Sequence, residues 1–336
     1  MFKSTIISIT IVFLSACASG QKPTQQKING ISFVASPNEI DSLPIQTVVE
    51  ETASNFLAIM PFAFCYGDTN PKVYYNQERQ WWGEKAEGVK VTIQMAHRAG
   101  QKVLLKPQLW LLHGTYTGSL AYKSDADWQK FESEYQDFIL TFATIAAKEK
   151  VALFCIGTEL EKFIENRPLF WNQLITEIKK VYSGKITYAA NWDEYSRTPF
   201  WDQLDYIGID AYFPLSEKES PTANDLNQSL TDLNTTLGSF SKSIDRKILF
   251  TEYGFRSMNY SARNPWESST NHGVNLQAQA TILSTFYEKL WSENYIAGGF
   301  LWKWFHENEK AGGSENSGFT PQNKPALSVI KKYYSK

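Results

Sequence analysis

Short apolar runs alternate along the chain with longer segments in which hydrophobic residues recur every three or four positions. From residue 30 onward, eight runs are nearly continuous in Val, Ile, Leu and Phe, as expected for parallel strands covered on both faces. The predicted strands are residues 30–34, 56–64, 102–110, 151–157, 185–191, 205–213, 247–255 and 298–305. Such runs, separated by helix-length segments, indicate an α/β fold.

The intervening segments carry helical signals. Residues 127–150 place Trp128, Phe131 and Tyr135 at three- and four-residue steps, and Pro168 opens another amphipathic segment. Eight strand–helix pairs with no internal boundary favour one (β/α)8 barrel, residues 30–336, over a doubly wound sheet. Neither a G-x-G-x-x-G after the first strand nor a P-loop occurs, so the usual signs of a nucleotide-binding sheet are missing.

The first 29 residues are predicted to lie outside the barrel. Lys3 precedes a short apolar run, and "LSAC" at 14–17 is similar to the lipobox of bacterial lipoproteins. We therefore expect a signal peptide over residues 1–17, a lipidated Cys17 and a polar tether over 18–29. The expected location is a bacterial membrane, in particular the periplasmic or surface face of the outer membrane.

Composition narrows the range of partners. The 336-residue chain has a formal net charge of -2, which gives no basic footprint for nucleic acid. Its 11 Trp and 17 Tyr can supply flat rings for ligands with apolar faces, such as sugars. Beyond Cys17 there are only Cys65 and Cys155, which we expect to be buried thiols because their strands are not consecutive.

Two carboxylates follow apolar strands on opposite sides of the predicted barrel mouth. Active sites of such barrels lie at the carboxyl ends of the strands. Glu159 ends the fourth predicted strand and Glu252 the seventh, so both side chains can reach one cleft. Each alone could be a helix cap or an ion-pair partner. Together, among aromatic and hydrogen-bonding residues, they fit glycoside hydrolysis, which needs a proton donor and a base or nucleophile.

Other chemistries have weaker support. The four His residues form neither H-x-H nor H-E-x-x-H, so no metal or other cofactor is expected, and G-x-S-x-G does not occur. A Schiff-base lysine stays open, with Lys106 and Lys303 as candidates. Either lysine could instead face outward or pair with barrel carboxylates.

Three segments resemble glycoside hydrolase family 113, whose characterised members are chiefly endo-β-1,4-mannanases. They are "FCIGTELE", "YIGIDAYFPL" and "FTEYGFRS", at the fourth, sixth and seventh predicted strands. The resemblance implies a retaining mechanism with Glu159 as general acid/base and Glu252 as nucleophile. It also implies that Tyr212 orients Glu252 and that Trp302 forms a platform under the sugar at the cleavage point.

Further substrate-binding candidates come from the strand ends and from the long loop after the second strand. They are Asn191, His113, Trp110, Thr158, Arg256 and Trp82. Thr158 departs from the wider clan, which commonly has Asn before the acid/base Glu to bind the sugar 2-hydroxyl. The tryptophans could equally pack in the barrel or under the following helix.

The resulting hypothesis is a retaining hydrolase of a β-linked polysaccharide or oligosaccharide, with β-1,4-mannan as the leading substrate. A catalytically silent, surface-anchored carbohydrate-binding barrel is one alternative. An endoglycosidase acting on β-glucan is another.

Overall fold

A computed structural model describes residues 26–268 and 271–336, with the side chain of His113 outside the description. The predicted signal peptide, Cys17 and the tether up to residue 25 also lie outside the described residues. The first strand begins at Ile28, two residues before the predicted start of the barrel at residue 30.

Eight parallel strands close into a barrel with helices around it, which confirms the (β/α)8 fold. The strands in chain order are β1 (Ile28–Phe33), β2 (Phe56–Ile59), β3 (Phe62–Cys65), β4 (Val73–Tyr74), β5 (Lys102–Leu105), β6 (Gln108–Leu111), β7 (Leu153–Thr158), β8 (Lys185–Asn191), β9 (Tyr206–Asp210), β10 (Lys247–Tyr253) and β11 (Ile296–Trp304). The barrel order is β1-β11-β10-β9-β8-β7-β5-β2, and β4-β3-β6 form a separate small sheet.

The helices follow the predicted alternation. They are α1 (Leu43–Thr52), α2 (Ala86–Arg98), α3 (Asp125–Lys148), α4 (Glu161–Asn166), α5 (Pro168–Val181), α6 (Ala223–Ile244), α7 (Leu276–Leu290) and α8 (Ala326–Tyr334). Local signals fix several ends: Ser124 caps α3, Pro168 opens α5, and Thr222 with Asp225 forms a capping box on α6. No helix of the described residues is long and apolar enough to cross a bilayer.

Two predicted strands are each divided by a proline. Residues 56–64 and 102–110 were expected to be continuous, but Pro61 and Pro107 interrupt them and the chain leaves the barrel there. Proline has no N–H to donate to the sheet, so a barrel strand stops at it. Beyond the prolines, β3 and β6 pair with each other and form a wall above the barrel mouth.

The barrel interior changes from apolar to charged along its length. Alternate residues of the strands, including Ala58, Leu104, Cys155 and Leu249, form a buried apolar cluster. The two described cysteines are free and buried, as expected from their positions. Because side chains alternate across a strand, Lys106, two residues after Leu104, and Thr251, two residues after Leu249, also face inward, and both donate to Asp210.

Candidate active site

A cavity of about 670 Å³ opens at the carboxyl ends of the barrel strands. Its lining includes Glu159 after β7 and Glu252 on β10, together with Asn191, Asp210 and Tyr212. In both β7 and β10 the pairing register shifts just before the glutamate, between Cys155 and Thr158 and between Phe250 and Glu252. An extra residue in a strand re-aims the side chains that follow it. These irregularities change which side of the sheet the last residues face.

Glu252 is held by three hydrogen-bond donors. Its Oε1 accepts from Lys106 Nζ at 2.5 Å and from Gln108 Nε2 at 3.0 Å, and its Oε2 accepts from Tyr212 Oη at 2.8 Å. Burial, followed by the charges of Glu252 and Asp210, raises the pKa of Tyr212 well above its ordinary value, so the phenol keeps its proton and donates. All three donors favour the charged carboxylate.

The ammonium of Lys106 is shared between two carboxylates. It lies 3.1 Å from Asp210 Oδ2 as well as 2.5 Å from Glu252. Burial lowers the pKa of Lys106, but the charges of Asp210 and Glu252 outweigh that effect and raise it overall. Asp210 also accepts from Thr251 Oγ1 at 2.7 Å, and burial together with the charge of Glu252 raises its pKa. Lys106 is thus a buried counter-ion. Of the alternatives left open for this lysine, the structure shows the pairing with barrel carboxylates.

Glu159 has the opposite environment. No side chain of the described residues donates a hydrogen bond to its carboxyl group. Burial, and then the negative charges of Asp210 and Glu252, raise its pKa well above the ordinary value for Glu. Its backbone has a left-handed φ of 49°, uncommon outside glycine. Burial and nearby negative charge therefore favour the neutral form of Glu159, whereas the other glutamate of the cavity accepts three hydrogen bonds.

Of the predicted substrate-binding residues, Asn191, Thr158, Trp110 and Trp302 line the cavity. Asn191 Nδ2 donates to Tyr116 Oη at 3.1 Å, whereas the buried Thr158 Oγ1 has no hydrogen-bond partner among the described residues. Trp110 on β6 is 50% exposed. Asn191, Trp110 and Trp302 bring amide and ring groups to one space, whereas the hydroxyl of Thr158 is buried behind it.

Two other candidates lie away from this cavity. Trp82 borders a separate small pocket with Gly83 and Thr92 instead of the cleft, which matches the alternative that one tryptophan of the loop packs. Arg256 is almost buried, and its guanidinium donates to the carbonyls of Ser317 and Ser268. Neither residue lines the cavity, so the predicted substrate contacts of Trp82 and Arg256 are not supported. Trp82 borders the small pocket, and loop carbonyls accept hydrogen bonds from the guanidinium of Arg256. His113 was also predicted here, but its side chain lies outside the description.

The comparisons with known proteins agree with this geometry. The model of Glycoside Hydrolase Family 113 matches residues 38–324. The chain belongs to this family. It is therefore a glycoside hydrolase, and the lysine-based alternatives lose their support. The comparison with curated proteins found no match.

Solved structures similar to this family 113 hydrolase include two β-mannanases of the same family. The β-mannanase from Alicyclobacillus acidocaldarius, in complex with ManMIm, has 22% identity and a TM-score of 0.82, covering 92% of this chain and 97% of that one. A GH113 β-1,4-mannanase complex has 25% identity and a TM-score of 0.80, covering 93% and 99%. A Faecalibacterium prausnitzii β-glucuronidase, at 10% identity and a TM-score of 0.63, shares the fold over 49% of its own length.

A second cavity of about 800 Å³ adjoins the first in this hydrolase. Trp110, Trp302 and Phe62 line both cavities, and the second adds Tyr66 and Trp81 from the loop between β3 and α2. Trp81, not Trp82, is the exposed ring of this tryptophan pair, at 48%. The cleft thus continues from the carboxylates along an aromatic wall.

On the other side of the first cavity, Trp192 and Trp266 stack with ring centroids 5.1 Å apart and planes 18° apart. Both rings line the cavity.

Among the described residues, no group of three or more His, Cys, Asp or Glu side chains could hold a metal ion.

The sequence left open whether Lys106 pairs with a barrel carboxylate, and it gave no indication that Gln108 also donates to Glu252. The prediction took the third barrel strand to end near Trp110, but that strand ends at Leu105. Pro107 was the available signal, since a proline inside an apolar run marks the end of a central strand. With the strand ended there, Lys106 becomes the residue at its tip.

Proposed function

We propose that this hydrolase is a retaining enzyme that cleaves β-1,4-linked mannan and mannooligosaccharides with Glu159 and Glu252. The observation that carries the proposal is the contrast between the two carboxyl groups of one cavity. Glu252 accepts three hydrogen bonds, one from an ammonium, whereas burial and nearby charge favour the neutral form of Glu159. Opposed environments of this kind assign the nucleophile and the acid.

In the first step, a Glu252 carboxylate oxygen attacks the anomeric carbon and forms a glycosyl ester. The bond from that carbon to the leaving-group oxygen breaks, and Glu159 transfers its proton to that oxygen. Lys106, Gln108 and Tyr212 hold the attacking carboxylate before substrate arrives, so little reorganisation is needed in the transition state.

In the second step, Glu159, now ionised, takes a proton from water. The water oxygen bonds to the anomeric carbon as the ester bond to Glu252 breaks, which regenerates both carboxyl groups. Two displacements at one carbon return the β configuration of the substrate.

Mannan is proposed as the substrate because similar solved structures that match over their whole length are β-mannanases. The two adjoining cavities support a chain rather than a single sugar, since Trp110 and Trp302 face both. Aromatic faces pack against the apolar faces of sugar rings.

The test is hydrolysis of β-1,4-mannan and mannohexaose by the wild type, Glu159→Gln and Glu252→Gln, with β-glucan as the competing substrate. Both variants are expected to lose at least about 100-fold in kcat/KM, because each removes a group used in the transition state. NMR of the first product formed is expected to show the β anomer.

Glu161→Gln is the matched control, because Glu161 is two residues from Glu159 but pairs with Arg197. It is expected to retain activity. A preference for β-glucan would show that the proposed substrate is wrong. An α anomer as the first product would show that the enzyme inverts, and binding of mannan without cleavage would favour a catalytically silent binding barrel.

We also propose that the enzyme is exported and anchored to a membrane through a lipid on Cys17. The support is the "LSAC" sequence after an apolar run. Labelled palmitate fed to cells that express the full chain should enter the wild type and not Cys17→Ser. Equal labelling of the two chains would contradict the anchor.

A further inference from the structure

The backbone around Glu159 is held in an uncommon conformation by two hydrogen bonds. A left-handed φ is strained for a residue with a side chain, so the surrounding structure must impose it. Glu159 N–H donates to the carbonyl of Ala189 at 2.8 Å, and Leu160 N–H donates to Tyr188 Oη at 2.6 Å. The second bond depends on a side chain, so a substitution can remove it.

The hydroxyl of Tyr188 is in turn fixed by a buried carboxylate. Tyr188 Oη donates to Glu194 Oε1 at 2.9 Å, and Glu194 Oε2 accepts from the N–H of Asn191 at 3.1 Å. Glu194 is only 2% exposed, and no cationic side chain of the described residues is in salt-bridge contact with it. Both of its oxygens are therefore used to hold Tyr188 and the end of β8.

We propose that Tyr188 and Glu194 are positioning residues that aim the acid/base Glu159 through the N–H of Leu160. The inference rests on the proposed function of Glu159. The chain of bonds runs from Glu194 through Tyr188 to the peptide next to Glu159, and its other end is the peptide of Asn191, which lines the same cavity. Neither positioning residue lines that cavity, so their effect is transmitted through the backbone.

Several charged or titratable groups influence Glu194. Burial raises its pKa to about 7, hydrogen bonds from Asn191 and Tyr188 lower it, and the charges of Glu161 and Asp210 raise it. Nearby groups on other elements are Glu159, Tyr116, and Arg197, whose guanidinium pairs with Glu161. Both oxygens of Glu194 accept hydrogen bonds in this network, and the ionised form is the one in which both are acceptors only.

The experiment compares two substrates that differ in their need for an acid. Mannotetraose has an alcohol leaving group that must be protonated, whereas 2,4-dinitrophenyl β-mannobioside releases an acidic phenol without a proton. Tyr188→Phe is expected to lower kcat/KM for mannotetraose at least about 10-fold, part of the 10²–10⁴ that a general acid supplies. It should leave kcat/KM for the dinitrophenyl substrate within about twofold of wild type, because that value reports only the first step.

Tyr182→Phe is the matched control, because it also removes a buried tyrosine hydroxyl, one that donates to the carbonyl of Val151 at 2.9 Å. The ratio of its kcat/KM for mannotetraose to its kcat/KM for the dinitrophenyl substrate is expected to equal that of wild type. The ratio is measured within one preparation, so a partly unfolded sample does not change it. Glu194→Gln should shift the ratio in the direction of Tyr188→Phe, since an amide offers one acceptor oxygen where the carboxylate offers two.

Amide hydrogen exchange gives a readout that needs no activity. The N–H of Leu160 is expected to exchange at least about 10-fold faster in Tyr188→Phe than in wild type or Tyr182→Phe. Unchanged exchange at Leu160, or equal losses on both substrates, overturns the proposal. An unchanged ratio in Glu194→Gln removes Glu194 from it. If wild type cleaves neither substrate, the proposed function fails while exchange at Leu160 still decides the positioning.

Discussion

Replacing Lys106 by Met tests how the site tolerates its buried carboxylates. Met has a similar length and is apolar, so the packing is largely kept, while Asp210 and Glu252 lose the ammonium that lies 3.1 and 2.5 Å away. The side chains of Lys106 and Asp210 are 0% and 1% exposed, so bulk water does not reach Asp210 to replace its lost partner. Removing one member of a buried ion pair costs about 3–5 kcal/mol, and we expect that loss in the free energy of unfolding at pH 7.5.

The loss should depend on pH in a defined direction. Without Lys106, the folded-state pKa of Asp210, which burial and the charge of Glu252 already raise, rises further above its unfolded value of about 4. An acid with a raised pKa destabilises the fold increasingly as pH rises from the unfolded pKa to the folded one. Lys106→Met should therefore be much closer to wild type at pH 5 than at pH 7.5.

Urea unfolding followed by Trp fluorescence at both pH values provides the measurement. Lys310→Met is the control, because Lys310 also pairs with a carboxylate, Glu307 at 2.6 Å, but is 76% exposed. It is expected to unfold as wild type does. If Lys106→Met is no less stable than Lys310→Met at pH 7.5, or if its loss grows toward pH 5, the reasoning about the shared ammonium is refuted.

Three further outcomes are expected. Tyr212→Phe removes a hydrogen bond to the charged Glu252, worth about 1.5–3 kcal/mol, so kcat/KM on mannohexaose should fall at least about 10-fold; a change below twofold contradicts this. Among nearby charges, that of Asp210 raises the pKa of Glu159 most, and Asp210→Asn removes it. The alkaline limb of the pH profile of kcat/KM should therefore move to lower pH, and a move to higher pH would show that Asp210 does not raise this pKa. Trp81→Ala, in the second cavity, should lower kcat/KM for mannohexaose but not for mannobiose, and equal losses would place its effect elsewhere.

The barrel and the meeting of Glu159 and Glu252 follow from features that the sequence displays directly. Apolar strands covered on both faces give continuous hydrophobic runs, and strand ends in a closed barrel converge on one mouth. The (β/α)8 fold was therefore confirmed, and both glutamates lie at the same cavity. Pairings across the barrel, such as Lys106 with Glu252, depend on where each strand stops, which apolar pattern alone locates poorly.

Loop residues were harder to place for a different reason. Trp81 and Trp82 are neighbours with the same chemistry, yet one ring is exposed in the second cavity and the other borders a small internal pocket. No periodicity applies in such a loop, so single-residue choices are set by tertiary packing. Arg256 likewise donates to the carbonyl of Ser317, 61 residues away in the chain, a partner that spacing does not reveal.

The prolines that end β2 and β5 also separate two kinds of constraint in this protein. Before Pro61 and Pro107, each side chain must fit the closed barrel, and Lys106 must meet Glu252. After them, β3 and β6 bond mainly to each other, and their outward positions face the aromatic cleft. Mutations at wall positions other than Gln108, which donates to Glu252, can therefore reshape the aromatic cleft without disturbing the carboxylates below it, so the proposed glycan specificity has a place to diversify apart from catalysis.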